Sequence, residues 1–168
     1  MESRVHPVRL DSERPIEESR ASRLGARILR FLIGTVLLAT AVGKLLDVPG
    51  FARVLGTYEA FPNGALLPIA IAVPVAELVL AFWLFSGRNL AAAALVSTAM
   101  HFLYAVWSAV SVLRGLKLAN CGCFGVFLAR PLGWSTVFED LVLVAASVGL
   151  WMLAKRKPGT FRSPRRDA

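Results

Sequence analysis

Four long apolar runs set the organisation of the chain, with short polar or mixed stretches between them. They are Arg27–Leu46, Ala65–Phe85, Leu90–Leu113 and Val137–Ala154. Each is close to the roughly 20 residues that a helix needs to cross a hydrocarbon core of about 30 Å. Pro68 and Pro74 lie inside the second run. They do not veto a membrane helix, because neighbouring helices can re-satisfy backbone groups that proline frees. Ser86-Gly87-Arg88-Asn89 leaves room only for a tight turn between the second and third runs. Thr136-Val137-Phe138-Glu139 has the spacing of a capping box and predicts the start of the fourth helix. The pattern predicts an all-α, integral membrane four-helix bundle.

The remaining stretches differ in character. Between the first two runs, Asp47 to Gly64 is mixed, and Phe51, Val54, Leu55, Tyr58 and Phe61 recur at helical spacing. That predicts a short amphipathic helix lying at the membrane interface. Met1 to Ala26 interleaves Arg4, Arg9, Arg14, Arg20 and Arg23 with Asp11, Glu13, Glu17 and Glu18. Such a segment reads as a disordered tail, with a surface helix from Pro15 onward as the ordered alternative. No apolar signal-peptide core precedes it, so no cleavage is expected. Lys155-Arg156-Lys157-Pro158 closes the fourth run, and Gly159 to Ala168 reads as a second disordered basic tail.

Composition sharpens the membrane reading. The chain is 56% hydrophobic, with a mean hydropathy of +0.60, above what soluble domains carry. The net charge of +8 lies mostly at the two ends. There it marks topology and lipid contact, and it does not indicate a nucleic-acid partner. Arg27 and Arg30 add to the N-terminal cluster, and Lys155, Arg156, Lys157, Arg162, Arg165 and Arg166 form the C-terminal one. The loop before the fourth run has only Arg114, Lys117 and Arg130, and the first loop only Arg53. Both termini and the Arg88 turn are therefore expected on the cytoplasmic side of the cell's inner membrane. The loop from Arg114 to Leu132 is expected outside.

That outer loop holds the only two cysteines, in Asn120-Cys121-Gly122-Cys123-Phe124-Gly125. Residues i and i+2 of a bent segment can approach within the roughly 4.4–6.8 Å Cα separation that a disulfide needs. Gly122 can take the positive φ so tight a closure favours, and Gly125 lets the chain turn away. A disulfide across one residue closes a small ring, so it is strained, easily reduced and a poor staple. The extracytoplasmic side is also where disulfides form and persist. A static disulfide or two interfacial thiols remain the structural alternatives. Two thiolates fall short of the four ligands of a structural zinc site, so no metal is assigned.

Further candidates lie within the spans. Ser97, His101, Tyr104, Ser108 and Ser111 fall on one helix face, which is expected to face the bundle interior. His101 and Glu77 both lie roughly 15 Å from the Arg88 turn by helical rise. Ionisable groups at that depth are functional candidates by default. As a pair they fit a proton relay, a quinone contact or a mutually satisfied buried couple. Lys44, at the outer end of the first run, either snorkels to the interface or lends a cation to the thiols. Glu139 and Asp140 read as first-turn helix charges or as proton acceptors beside the cysteines. Tyr58, Trp107 and Trp134 are expected in an outer aromatic belt.

These features resemble the methylamine utilisation protein E family (MauE), within the wider DoxX-like group of four-helix membrane proteins. The resemblance covers about Arg27 to Ala154. It is carried by Gly43-Lys44-Leu45, by Pro74 and Glu77 in the second span, and by Arg114-Gly115 followed by Cys121-Gly122-Cys123-Phe124-Gly125. It implies a role in methylamine metabolism, where the family is associated with maturation of methylamine dehydrogenase, whose small subunit is rich in disulfides. The expected function is a membrane thiol–disulfide redox or maturation factor acting on an exported disulfide-containing protein or a thioredoxin-like partner. The alternatives are a non-catalytic assembly protein and a quinone-reactive membrane subunit. One cysteine pair alone excludes an electron shuttle through a second pair. His101, roughly 15–20 Å below the outer end of its helix, argues against a direct route to a deep quinone.

Overall fold

The computed structural model describes residues 14–155. Among them the chain forms α1 (Arg14–Leu45), α2 (Val48–Gly56), α3 (Asn63–Ser86), α4 (Leu90–Leu113) and α5 (Trp134–Lys155), with no strand. Among the described residues four helical segments are long and apolar enough to cross a membrane: Arg20–Leu45 of α1, and the whole of α3, α4 and α5.

The side-chain distribution is that of a protein folded in lipid. Phe31, Leu32, Val79, Phe82, Leu95 and Phe102 point outward. Lys44, Glu77, Ser97, His101, Ser108, Asp140 and Ser147 are buried between the helices. In hydrocarbon the apolar surface faces outward at no cost, and polar side chains must find partners inside. α4 packs along α5 and α1 along α3, and α1 also touches α5. Ala81, Ala93 and Ala94, almost without exposed surface, let the backbones approach. With Ile33, Leu37, Leu80, Leu84 and Leu150 they form an apolar core. The turn between α3 and α4 closes with Gly87 and Asn89 at positive φ.

Three expectations change. The first helix begins at Arg14, so residues 14–26 follow the helical alternative from Pro15 and not the disordered one; residues 1–13 and 156–168, and the tails predicted there, lie outside the described residues. α5 starts at Trp134, three residues before the capping-box prediction. The carbonyl of Gly133 accepts from the backbone N–H groups of Thr136 and Val137, which places Thr136 within the first turn. Glu139 is drawn to Arg130 instead of closing a cap.

The third change concerns α2. Its N-terminus is capped by Asp47, whose Oδ1 accepts from Gly50 N at 2.8 Å. The helix ends at Gly56, so Tyr58 and Phe61 follow it. Phe51 and Leu55 are buried against Ala70, Leu66 and Ile69 of α3. α2 therefore caps one end of the bundle, turning its apolar face onto protein.

Candidate functional site

The Cys-Gly-Cys segment is held by its own backbone and by Tyr58 and Arg114, which follow α2 and α4. Cys121 N donates to Arg130 O at 2.7 Å, and Leu132 N donates to Leu118 O at 2.9 Å, which ties the two arms of the loop together. Asn120 organises the tip. Its Oδ1 accepts from Gly122 N at 2.8 Å, and its Nδ2 donates to Gly125 O at 3.0 Å. The first bond is an Asx turn, a local fold that asparagine favours. Gly122 sits at φ 75°, where a side chain would be strained. Tyr58 Oη donates to Cys121 O at 2.7 Å, and Arg114 Nη1 donates to Tyr58 O at 3.1 Å. The segment after α2, the cysteine loop and the end of α4 are thus locked together. Asn120 and Tyr58 went unassigned as site residues in the sequence; an asparagine directly before Cys-Gly-Cys is the one available signal for the turn.

Both cysteines are free and half-buried, and their Sγ atoms share a hydrogen bond at 2.7 Å. Either thiol can donate in such a bond. The backbone N–H of Cys123 also points at Cys121 Sγ, at 3.4 Å, which favours Cys121 as the acceptor. The Cys123 thiol donor, aided by that N–H and by Arg130 against the opposing effect of burial, pulls the Cys121 thiol down to about 7. Cys123 is pushed up by the same bond and by burial. The pair is therefore polarised, with one thiolate at neutral pH and one thiol as its proton donor. Cys121 alkylation is expected to rise as pH climbs through about 7, since the thiolate is the reacting form. Cys123→Ala removes the main donor, shifts the midpoint upward and slows Cys121 alkylation at pH 7 by about tenfold. Rates of maleimide labelling against pH in detergent check this.

The buried charges pair differently from the sequence expectation. Glu77 does not meet His101. Its Oε1 accepts from Lys44 Nζ at 2.6 Å and from Tyr104 Oη at 2.8 Å. His101 turns back on its own helix, with Nδ1 2.8 Å from Ser97 O and 3.3 Å from Ser97 Oγ, which in turn meets Ser147 Oγ at 3.0 Å. α1 lies along α3 and brings Lys44 to Glu77, while α4 reaches Glu77 through Tyr104 and keeps His101 on its own Ser97. Lys44 is 4% exposed, so it does not snorkel. Glu77 Oε2 is buried and has no hydrogen-bond partner among the described residues.

The remaining candidates separate. Asp140 is buried and accepts from Ser108 Oγ at 3.2 Å. Its neighbour Glu139 is exposed and forms a two-pronged ion pair with Arg130. Trp134 is exposed, as a belt residue should be. Tyr58 is buried, so it is not a belt residue; Trp107 is half-buried, stacked on Phe61 and tilted against Tyr58, with centroids at 5.2 and 5.4 Å. Burial raises the Tyr58 phenol, which keeps it a hydrogen-bond donor.

Both sets of groups open onto one cavity of about 740 Å³. Its wall includes Cys121, Cys123, Phe124, Tyr58, Lys44, Glu77, His101, Tyr104, Trp107 and Asp140. The thiols and the deep ionisable groups, which depth counting kept apart, thus share a chamber. Among the described residues no three His, Cys, Asp or Glu side chains cluster in a way that holds a metal ion.

A family model described as Methylamine utilisation protein MauE matches residues 22–152. The chain belongs to the MauE family. It is 31% identical over 122 residues to the methylamine utilization protein MauE of Paracoccus denitrificans, covering 73% of this chain and 66% of that protein. It is 31% identical over 132 residues to its namesake from Paracoccus versutus, covering 78% and 71%. The MauE of Methylophilus methylotrophus is 30% identical over 132 residues, covering 77% and 67%. The matched part thus spans about two thirds of the length of these MauE relatives. No solved structure matches the chain. The MauE match takes in all four candidate spans, except the first two residues of the first and the last three of α5, and the whole cysteine loop.

Proposed function

We propose that this chain is a membrane thiol–disulfide exchange factor that matures exported disulfide-containing proteins, with a role in methylamine utilisation like that named for its relatives. The observation that carries the reading is the geometry of the pair: two free, half-buried cysteines with their sulfurs 2.7 Å apart, an arrangement that pulls the Cys121 thiol down to about 7. Disulfide exchange begins with a thiolate attacking a disulfide sulfur and ends when a second thiol resolves the mixed disulfide. Cys121 is the attacking group and Cys123 the resolving one. Both are half-buried, so a partner's disulfide reaches them without the bundle unfolding. In this reading the cysteine loop and α2 face the extracytoplasmic side of the cell membrane, and both termini face the cytoplasm. The client is an exported protein or a thioredoxin-like carrier.

The test is the redox state of the pair in intact membranes. Cells are acid-quenched and labelled with a mass-shifting maleimide before and after reduction, in the wild type and in each single Cys→Ser variant. The expected result is a pair that cycles with added thiol reagent and a mixed disulfide with a partner trapped in Cys123→Ser. A pair fixed in one state with nothing trapped, together with full partner maturation in the double serine variant, would overturn the reading in favour of an assembly role.

A further inference from the structure

The cavity beneath the cysteines is larger than thiol exchange requires. Its volume of about 740 Å³ falls in the roughly 300–1,000 Å³ range of small-molecule sites. Aromatic side chains line much of it, and Leu103, Phe138 and Val142, which belong to its wall, are among the exposed apolar residues of α4 and α5. The chamber therefore opens sideways onto the lipid-facing surface, so an occupant can enter from the bilayer. At its depth stands a polar pair with unused capacity. Glu77 Oε2 is fully buried without a donor among the described residues, and an orphaned acceptor of this kind is costly unless something fills it. Lys44 Nζ carries three N–H bonds, one of which goes to Glu77 Oε1. An acceptor and a cationic donor thus stand side by side in an apolar chamber that also holds a dithiol.

We propose that this cavity is a binding site for a lipid-soluble quinone, with Lys44 donating to one ring oxygen, Glu77 accepting from that oxygen once it is reduced to a hydroxyl, and the quinone oxidising Cys121 and Cys123. The proposal rests on the exchange reading above and names the acceptor that regenerates the disulfide. A head group that enters as a carbonyl accepts from Lys44. After reduction the same oxygen is a hydroxyl and donates to Glu77 Oε2. The Cys121 thiolate and the Cys123 thiol give up two electrons as one S–H bond breaks and one S–S bond forms. The quinone takes up those two electrons, the proton from Cys123 and a second proton from solvent, where ionisation of Cys121 had released it, and leaves as the quinol. No second cysteine pair is needed, because the thiols and the polar pair share one chamber.

The test uses the full-length protein, pre-reduced in lipid nanodiscs under anaerobic conditions, with a dimethoxy-methyl-benzoquinone bearing a decyl tail. Loss of quinone absorbance is compared with loss of maleimide-reactive thiols, and decanol controls for the tail. Tryptophan quenching in the double Cys→Ser variant reads binding separately from chemistry. The expected result is one quinone reduced per thiol pair, and binding by the cysteine-free variant that decanol does not reproduce. Glu77→Gln, which removes the charged acceptor of the quinol hydroxyl, should slow thiol oxidation about tenfold. Val73→Trp, which puts bulk into the cavity from α3 and leaves both cysteines in the chain, should block the quinone while exchange with a soluble disulfide continues. If the pair exchanges with a soluble disulfide but neither binds nor reduces the quinone, the proposal is wrong and the exchange reading stands. If Val73→Trp reacts with quinone at the wild-type rate, this cavity is not the site. If the pair reacts with neither oxidant, both readings fall.

Discussion

Replacing Lys44 with methionine is expected to destabilise the bundle by about 3–5 kcal/mol, the cost of removing one partner from a buried ion pair. Lys44 and Glu77 are both almost without exposed surface, and 2.6 Å separates Nζ from Oε1. Methionine keeps most of the side-chain volume, so little cavity forms and the loss is chiefly electrostatic. The Glu77 carboxylate is then left in an apolar chamber with Tyr104 as its one remaining donor. The double variant Lys44→Met with Glu77→Leu should recover most of the loss, because replacing a whole buried pair with apolar groups is often close to neutral. Thermal unfolding in detergent checks both, with the single variant lower by on the order of 10 °C. A single variant as stable as the double would show that the pair is not coupled. The comparison also separates stability from function. A well-folded double variant that no longer reacts with quinone would locate the value of these charges in the site.

The fold was readable in the sequence because lipid imposes a coarse rule. Runs of about 20 apolar residues must be helices, and the third run coincides with α4, Leu90–Leu113. The polar stripe was readable for the same reason. Ser97, His101, Ser108 and Ser111 share a face at helical spacing, and that face is buried. What the sequence did not contain is which helices are neighbours. Glu77 and His101 sit at similar depth, but depth says nothing about azimuth. Lys44 reaches Glu77 because α1 packs on α3, a choice made by the small and branched side chains of the core. The role of Tyr58 was hidden in a similar way. Its hydrogen bond to Cys121 O spans 63 residues of chain and follows from the docking of α2, which has no local signature. The capping box failed because Gly133 offered an earlier start and Arg130 a stronger partner for Glu139.

The glycine of Gly43-Lys44-Leu45 is expected to be as sensitive as the lysine beside it. A Cβ added at Gly43 would collide with the carbonyl of Phe124, and one added at Gly125 would collide with the carbonyl of Gly43. Both obstacles are backbone, so neither can yield by a rotamer change. The cysteine loop and α1 therefore lie backbone to backbone at this point. Gly125 is also at φ 72°, so there a side chain adds strain to the collision. Gly43→Ala should lift the loop from α1 and disturb the adjacent Cys123. Overpacking of this kind costs typically about 1–3 kcal/mol, and rigid backbone on the far side puts this case at the upper end. The more telling readout is local. Undocking should expose Cys123 and weaken the bond that polarises Cys121, so Cys123 labelling should quicken several-fold while the pH midpoint of Cys121 alkylation moves upward from about 7. Gly64→Ala, where an added Cβ meets nothing within 4 Å, serves as the control. If Gly43→Ala leaves both thiols as reactive as in the wild type, α1 does not hold the loop, and the polarity of the pair arises within residues 120–125 alone.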